Sequence, residues 1–184
     1  MDRQPVLEGS RLRLRPLRPD DWDALFAIAS DRAIWAQHPA HDRWQEPVFR
    51  RYFAEALEGG GAMVALDRES GAVLGSSRWQ GLDPTDGGSV EIGWTFLARE
   101  AWGGGYNPEM KRLMLAHAFR WVGRVDFHIG EGNIRSRTAM ERIGGRLTER
   151  FDEVELGPGR IVRHVIYAIT RKEFEHGPLM RAQV

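Results

Sequence analysis

Residues 90–121 read VEIGWTFLAREAWGGGYNPEMKRLMLAHAFRW, and this stretch decides the fold. Its first part has an apolar side chain at every second position: Val90, Ile92, Trp94 and Phe96. A period of two is typical of a strand that buries at least one face, because successive side chains point to opposite faces of a sheet. We therefore expect a buried strand over residues 90–97.

Three consecutive glycines, at positions 103–105, follow this strand and predict a turn. Glycine takes a positive φ without steric cost and allows another molecule to approach the backbone closely. Asn107 and Pro108 then predict a helix start, with Asn107 as the N-cap and Pro108 as the first helical residue. The helix is expected to run to Trp121. Its apolar stripe is Met110, Leu113, Met114, Ala118 and Trp121, with Lys111, Arg112 and Arg120 to the side.

The join between the glycine turn and the helix predicts a binding site for an anion. The first N–H groups of a helix have no partner within it, and the helix dipole places partial positive charge there, so a phosphate or pyrophosphate is the natural ligand. The same kind of turn also serves close packing of a strand against a helix, and this alternative stays open here. No Gly-Lys-Ser/Thr follows the glycines, and their spacing is not G-x-G-x-x-G, so a P-loop and a dinucleotide-binding fingerprint both fit poorly.

Residues 102–107, WGGGYN, resemble the acetyl-CoA signature Q/R-x-x-G-x-G/A of the GNAT superfamily of acetyl-CoA-dependent N-acetyltransferases. Trp102 stands where Gln or Arg is usual, as in the Rim-type branch that acetylates the N-termini of ribosomal proteins. Asn107 stands where Gly or Ala is usual. A second stretch, Asn133 to Ser136 followed by a glycine pair, is similar to that branch's N-x-x-S helix, although Gly145 replaces the usual aromatic residue.

The resemblance implies that acetyl-CoA is the cosubstrate and that no metal takes part. It also implies that the strand over residues 90–97 splays from the next strand and that the acetyl-pantetheine arm lies in the gap. A backbone N–H of residues 95–97 would meet the oxyanion. The cofactor-binding residues are then Thr95, Phe96, Leu97, Trp102, Gly103, Gly104, Gly105, Tyr106, Asn107 and Asn133.

Acetyl transfer to an amine needs a neutral nucleophile and a proton for the departing thiolate. Glu91 is the candidate base, since its strand directs it opposite to Val90 and Gly93 leaves space beside it. A solvated or arginine-paired Glu91 is the alternative. Many members of the superfamily protonate the thiolate with a tyrosine, but Met140 stands at that position here. The resemblance assigns this role to Ser136. The alternative is that Ser136 only caps the helix, in which case a water or Tyr106 would be the candidate proton donor.

The acceptor is expected to be a primary amine, most plausibly a protein N-terminus. The alternatives are an antibiotic or a polyamine as acceptor, or a non-catalytic CoA-binding module. Trp35, His38 and Arg78 are candidate substrate-binding residues, although Arg78 also suits a salt bridge. His38 and His41 do not predict a metal site, because Pro39 argues against a helix there and no further ligands lie nearby in the sequence.

Composition narrows the class of protein further. We expect a single N-acetyltransferase domain over residues 1–184, with a core over about 8–172. The formal net charge is +0, which predicts no general attraction to nucleic acid or to an anionic membrane. There is no cysteine, no apolar signal segment at the N-terminus and no run of 18 apolar residues. This suits a cytoplasmic protein, and a homodimer is left open.

The remaining elements predict an α/β fold. In chain order they are a strand over 11–15, a helix from Asp20 to about Ser30, a loop over 31–45, a helix over 46–58, strands over 62–67, 73–80 and 125–129, a helix over 134–143, and a hairpin of 146–155 and 161–170 across Gly157-Pro158-Gly159. The predicted fold class is a single-domain GNAT-like fold. Its sheet is mixed but mostly antiparallel, is flanked by helices, and contains a splayed central strand pair.

Overall fold

The computed structural model describes residues 1–157 and 159–181, and these residues form one eight-stranded sheet in the order β1-β2-β3-β4-β5-β6-β8-β7. The strands are β1 (Leu7–Glu8), β2 (Leu12–Pro16), β3 (Ala62–Asp67), β4 (Val73–Asp83), β5 (Ser89–Leu97), β6 (Arg124–Gly130), β7 (Arg146–Glu155) and β8 (Ile161–Thr170). The helices are α1 (Trp22–Ala29), α2 (Glu46–Glu58), α3 (Tyr106–Ala118), α4 (Ile134–Arg142), α5 (Arg171–Glu175) and α6 (Pro178–Arg181). The expected α/β class with a mixed, mostly antiparallel sheet is confirmed.

The central strands β5 and β6 splay apart, as expected. They run parallel, which requires a crossover connection, and α3 provides it. Their pairing covers three residue pairs and ends at Glu91 and Asp126. Beyond that point β5 continues to Leu97 and β6 continues to Gly130 without pairing to each other. The result is a gap inside the sheet, open toward the ends of both strands.

A bulge in β5 lies at the beginning of this gap. Between residues 93 and 96, β5 has one residue more than β4 opposite it. Trp94 takes a φ of 52° there, and its carbonyl accepts a hydrogen bond of 2.7 Å from the Tyr52 hydroxyl. A bulge bends its strand and re-aims the side chains around it. The strict alternation expected along residues 90–97 is therefore interrupted at Trp94.

Two apolar clusters lie on opposite faces of the sheet. In β3, Met63 and Ala65 belong to the cluster that packs under α3, whereas Ala62 and Val64 belong to the cluster under α1 and α2. The alternation follows from the two-residue period of a strand that is covered on both faces. The sheet is thereby held between helices, and this arrangement places the start of α3 beside the gap.

The limits of α3 differ from the prediction. The helix begins at Tyr106, and its N-cap is Gly105 with a φ of 83°, so Asn107 and Pro108 both lie inside the first turn. Proline is tolerated there because the N–H groups of the first turn have no partner within the helix. The helix ends at Ala118, and Trp121 is 54% exposed instead of closing the apolar stripe.

The α1 region also differs, because Asp20 does not cap the helix. Residues Pro19–Asp21 form a 3₁₀ turn, and the α-helix begins only at Trp22 and ends at Ala29. Asp21 is the buried carboxylate of this turn. It pairs with Arg15 at 2.5 Å and accepts a hydrogen bond of 2.8 Å from the Arg18 N–H. The arginine on β2 therefore fixes the entry into α1.

The other predicted elements are present, with shifted ends. β4 continues to Asp83, three residues beyond its predicted end, and the loop over 31–45 contains a 3₁₀ turn, Arg32–Trp35. The hairpin of β7 and β8 has the predicted limits, whereas Pro158 of its turn lies outside the described residues. Two short helices, α5 and α6, follow in a part of the chain for which the sequence analysis makes no prediction. None of the described helices is long and apolar enough to cross a membrane.

Candidate functional site

A cleft of about 480 Å³ occupies the gap between β5 and β6 and extends to the starts of α3 and α4. Most of the predicted site residues line it: Trp35, His38, Thr95, Phe96, Leu97, Trp102, Gly103, Gly105, Asn107, Asn133 and Ser136. Four predicted residues do not line it: Arg78, Glu91, Gly104 and Tyr106. The structure thus brings together residues that are up to 101 positions apart in the sequence, from Trp35 to Ser136.

The glycine turn presents its backbone to one end of the cleft. Gly103 and Gly105 have φ values of 74° and 83°, a conformation that other residues adopt only with strain. The Gly104 carbonyl accepts a 2.6 Å hydrogen bond from the Arg11 guanidinium, which ties the turn to the N-terminal strands. Glu109 on α3 accepts hydrogen bonds from the segment that contains Arg11, including one of 3.1 Å from the Arg11 N–H. The turn and the start of α3 are therefore both held by the segment around Arg11.

The charge of the cleft also favours an anion. Among the described residues, its titratable lining side chains are His38, Lys111, His128, Arg135, Arg142 and His164, and no carboxylate is among them. Burial lowers the pKa of His38 to about 3, so this ring is neutral at physiological pH. The positive charge therefore comes mainly from the arginines. A lining of one sign raises the local concentration of ligands of the opposite sign.

Trp102 and α4 form the mouth of the cleft. The Trp102 indole N–H donates a 3.0 Å hydrogen bond to the Leu97 carbonyl, and the Arg135 guanidinium lies 4.3 Å from the centre of its ring. Asn133 is the N-cap of α4, and its side-chain oxygen accepts a 3.2 Å hydrogen bond from the Ser136 N–H. The cap uses only the backbone of Ser136, so its side chain is available to the cleft that it lines.

Glu91 lies next to the cleft, on the face of β5 opposite to its core residues. Val90 and Ile92 are buried, and a Cβ added at Gly93 would lie 3.1 Å from a Glu91 carboxylate oxygen, so glycine does leave space there. Burial raises the pKa of Glu91, and the nearby His128 opposes this shift. Within the described residues no arginine lies at ion-pair distance from this carboxylate.

Nothing in the sequence indicates that His128 belongs to this site. His128 lies on β6 and lines the cleft, and its Nδ1 pairs with Asp152 of β7. The pair depends on the position of β8 between these two strands, with Asp152 opposite His164 and His128 opposite Ile166. Local sequence patterns do not predict which residues of strands distant in the sequence lie opposite each other. The sequence predicts His128 only as a sheet residue.

Arg78 and Tyr106 lie away from the cleft. Arg78 is 6% exposed, and its guanidinium lies 4.1 Å from the centre of the Trp94 ring and 5.3 Å from that of Tyr52. No described carboxylate lies at ion-pair distance from it, so the salt bridge is not formed, and its binding of substrate stays a prediction. The Tyr106 hydroxyl donates a 2.7 Å hydrogen bond to Asp67, which directs it toward β3. Tyr106 is therefore not placed to protonate a thiolate in the cleft.

The sequence places Lys111 beside the apolar stripe of α3, and the structure shows that this position is buried. It is 4% exposed and lines the cleft. The sequence carried a signal for this position, since Lys111, Met114, Leu115 and Ala118 follow the spacing i, i+3, i+4 and i+7 of a buried helix face. A charged residue at a buried position of a helix departs from the apolar pattern, and this departure makes Lys111 a candidate functional residue.

Comparison with known proteins agrees with this geometry. Residues 11–146 match the family model described as the acetyltransferase (GNAT) domain. Because the match covers well over half of the chain, the chain belongs to the GNAT family. It is accordingly an acetyl-CoA-dependent acyltransferase.

Solved structures share the fold at low sequence identity. A GCN5-related N-acetyltransferase from Brucella melitensis superposes with a TM-score of 0.82 at 23% identity, over 97% of this chain and 83% of that one. A GNAT-family acetyltransferase from Bacillus anthracis gives 0.74 at 22% identity, over 92% and 100%. Mycobacterium smegmatis RimJ, solved in complex with CoA-disulfide, gives 0.72 at 21% identity, over 97% and 93%. These likenesses establish the fold.

Proposed function

We propose that this acetyltransferase transfers the acetyl group of acetyl-CoA to a primary amine by direct attack, and that the acceptor is a protein N-terminus. The observation that carries the proposal is the cleft between β5 and β6, which joins an anion-binding helix start to the unpaired backbone of β5. A cosubstrate with phosphates at one end and an amide-containing arm at the other fits both features. The chain is similar in fold to RimJ, which was solved in complex with CoA-disulfide, and this similarity supports acetyl-CoA as the cosubstrate.

The cofactor arm would add to the sheet along the side of β5 that faces β6, beyond the point where the pairing of these two strands ends. Bound acetyl-CoA would supply a thioester, whose carbonyl becomes an oxyanion during transfer. Residues 95–97 line the cleft, and any of their backbone N–H groups that face the gap would donate to this oxyanion. The bulge at Trp94 bends the strand just before these residues, and we infer that it directs their N–H groups into the gap.

Glu91 is our proposed general base. Its carboxylate is raised in pKa by burial, which makes it a stronger base than an exposed glutamate. It would take the proton of the incoming amine through the neighbouring space at Gly93 or through one water. His128, held by Asp152 and exposed to the cleft, is the second candidate for this role.

The charge of the cleft lining also indicates which class of acceptor would bind there. An acceptor with several positive charges, such as a polyamine or an aminoglycoside, would be attracted by carboxylates. The described lining contains basic side chains and no carboxylate, so it would repel such an acceptor. An N-terminal amine carries one positive charge, and the peptide behind it is able to carry acidic residues. Trp35 and His38, which also line the cleft, are proposed to contact it.

An acceptor screen tests the proposal. The purified chain is incubated with acetyl-CoA and single acceptors, and CoA release is measured together with the mass of the product. The acceptors are peptides with a free N-terminus, the same peptides with a blocked N-terminus and one internal lysine, a polyamine and an aminoglycoside. We expect release with the free N-termini only. Release with the blocked peptides or the polycations would overturn the choice of acceptor, and binding of acetyl-CoA without release to any amine would favour a non-catalytic module.

Replacing Ser136 by alanine is expected to lower kcat by about 10²-fold while leaving the affinity for acetyl-CoA within about twofold, because a proton donor acts only as the thiolate forms. The substitution keeps the backbone N–H that Asn133 binds, so the cap of α4 is retained. Thr138→Ala removes a hydroxyl from the same helix outside the cleft lining and is the control. Steady-state kinetics and calorimetry distinguish the two effects, and equal kcat in wild type and Ser136→Ala would leave this serine a structural role.

A further inference from the structure

Lys111 is a buried cation that the proposed reaction does not use. Its Nζ donates a 2.6 Å hydrogen bond to the Thr95 hydroxyl, lies 3.4 Å from the Ser77 hydroxyl, and lies 5.8 Å from the centre of the Phe127 ring. No described carboxylate lies within ion-pair distance of it. Burying an unpaired ammonium costs several kcal/mol, and the usual response is loss of the proton. Burial accordingly lowers the pKa of Lys111 to about 7.

The surroundings of Lys111 do not restore its charge. The three strands packed against it contribute two hydroxyl groups and an aromatic ring at the contact, and α4 contributes Ser136 and Met140 to the same cleft. The other titratable groups that line the cleft are His38, His128, His164, Arg135 and Arg142, and each is neutral or positive. About half of the molecules therefore carry a neutral, nucleophilic amine at pH 7, whereas an exposed lysine is neutral in well under ~0.1% of molecules.

We propose that Lys111 is itself an acetyl acceptor, and that acetyl-CoA bound in the cleft modifies its Nζ when no external amine is present. The inference rests on the proposed function, because it requires the thioester to lie beside residues 95–97. The Nζ atom is already held at 2.6 Å from the Thr95 hydroxyl, at the beginning of that segment. A lysine with this placement competes with the external acceptor for the same carbonyl carbon.

The step balances without any additional reactant. The lone pair of the neutral Nζ attacks the thioester carbonyl carbon, the carbon–sulfur bond breaks, and the thiolate leaves. The nitrogen loses one proton as its amide bond forms, and the thiolate takes up one proton. The products are N-acetyl-lysine at position 111 and free CoA. The amide is uncharged, so the modification also removes the cost of burying an ammonium.

The composition of the chain makes the modification easy to measure. The sequence contains 24 arginines but only two lysines, Lys111 and Lys172. Lys172 is exposed on α5, and it does not line the cleft. It therefore reports the background reaction of acetyl-CoA with an ordinary surface amine in the same molecule and the same sample.

The experiment incubates the full chain with isotope-labelled acetyl-CoA and no acceptor, and quantifies the label on both lysines by peptide mass spectrometry. We expect Lys111 to be labelled at least about tenfold faster than Lys172, with a rate constant that does not depend on protein concentration. Saturating CoA should suppress labelling of Lys111 and leave Lys172 unchanged. Equal labelling of the two lysines, or a rate constant proportional to protein concentration, would overturn the proposal.

A matched variant and a separate assay keep the inference distinct from the proposed function. Lys111→Arg retains a positive donor near Thr95 but has no nucleophilic amine, so its label should be confined to Lys172. If the wild-type chain acetylates external amines while Lys111 stays unlabelled, self-acetylation is wrong and the proposed function stands. If calorimetry shows that acetyl-CoA does not bind, both are wrong.

Discussion

Gly105→Val is expected to weaken acetyl-CoA binding by at least ~100-fold, which is about 2.8 kcal/mol. A Cβ at this position would meet nothing closer than the Arg11 guanidinium at 3.7 Å, so the isolated chain has room for the added side chain. Gly105 lines the cleft and is the N-cap of α3, so under the proposed function the added side chain would compete with the pyrophosphate for this space. The loss should therefore come from exclusion of the ligand, and isothermal titration calorimetry measures it directly.

The strain of the new residue needs its own control, because Gly105 has a φ of 83° and valine pays a penalty of about 1–2 kcal/mol there. Gly87 has a φ of 82°, has nothing within 4 Å of an added Cβ, and does not line the cleft. Gly87→Val should lower the melting temperature by a similar amount and leave affinity unchanged. Unchanged affinity in Gly105→Val would mean that the phosphates bind elsewhere.

Glu91→Gln is expected to lower kcat/KM by about 10²-fold at pH 7 and to lose less as the pH rises. Glutamine has nearly the size of glutamate, so the fold and the affinity for acetyl-CoA should be retained. An α-amine has a pKa near ~8, and above that pH most of the acceptor is neutral without a base. The variant should then approach wild type, and the full dependence of kcat/KM on pH for both proteins tests this.

Two other outcomes assign Glu91 a different role. A defect of equal size at every pH would mean that the carboxylate orients the acceptor or supports β5. No defect would make His128 the leading candidate for the base. In that case Asp152→Asn, which removes the charged partner of the His128 ring, should produce the defect and its relief at high pH. If neither variant shows a defect, the acceptor must arrive neutral or lose its proton to water.

The sequence predicted the elements that build the cleft because each of them has a local signature. The period of two in β5, the three glycines and the apolar stripe of α3 depend on neighbours within a few residues. The predicted start of α3 is two residues too late, since proline is accepted throughout the first turn and therefore does not mark its first position. The splayed strand pair was expected from family resemblance, not from these local patterns.

Residues placed by tertiary contacts were not predictable in this way. Arg78 was expected near the substrate, but the direction of its side chain is set by the rings of Tyr52 and Trp94. His128 joins the site through Asp152, which lies on a strand whose position in the sheet is fixed by a third strand. Lys111 follows the helix pattern of a buried residue, yet a lysine is ordinarily assigned to solvent, and only its observed burial shows otherwise.

The short pairing of β5 and β6 links ligand binding to the stability of the fold. The two parts of the sheet meet through three residue pairs, and beyond them the gap separates β5 from β6. A ligand that spans the gap would contact both parts in the folded chain and neither in the unfolded chain. Its binding free energy would then add to the free energy of unfolding, by about 2.7 kcal/mol at a concentration of 100 times Kd. The melting temperature would accordingly depend on the cellular supply of the cosubstrate.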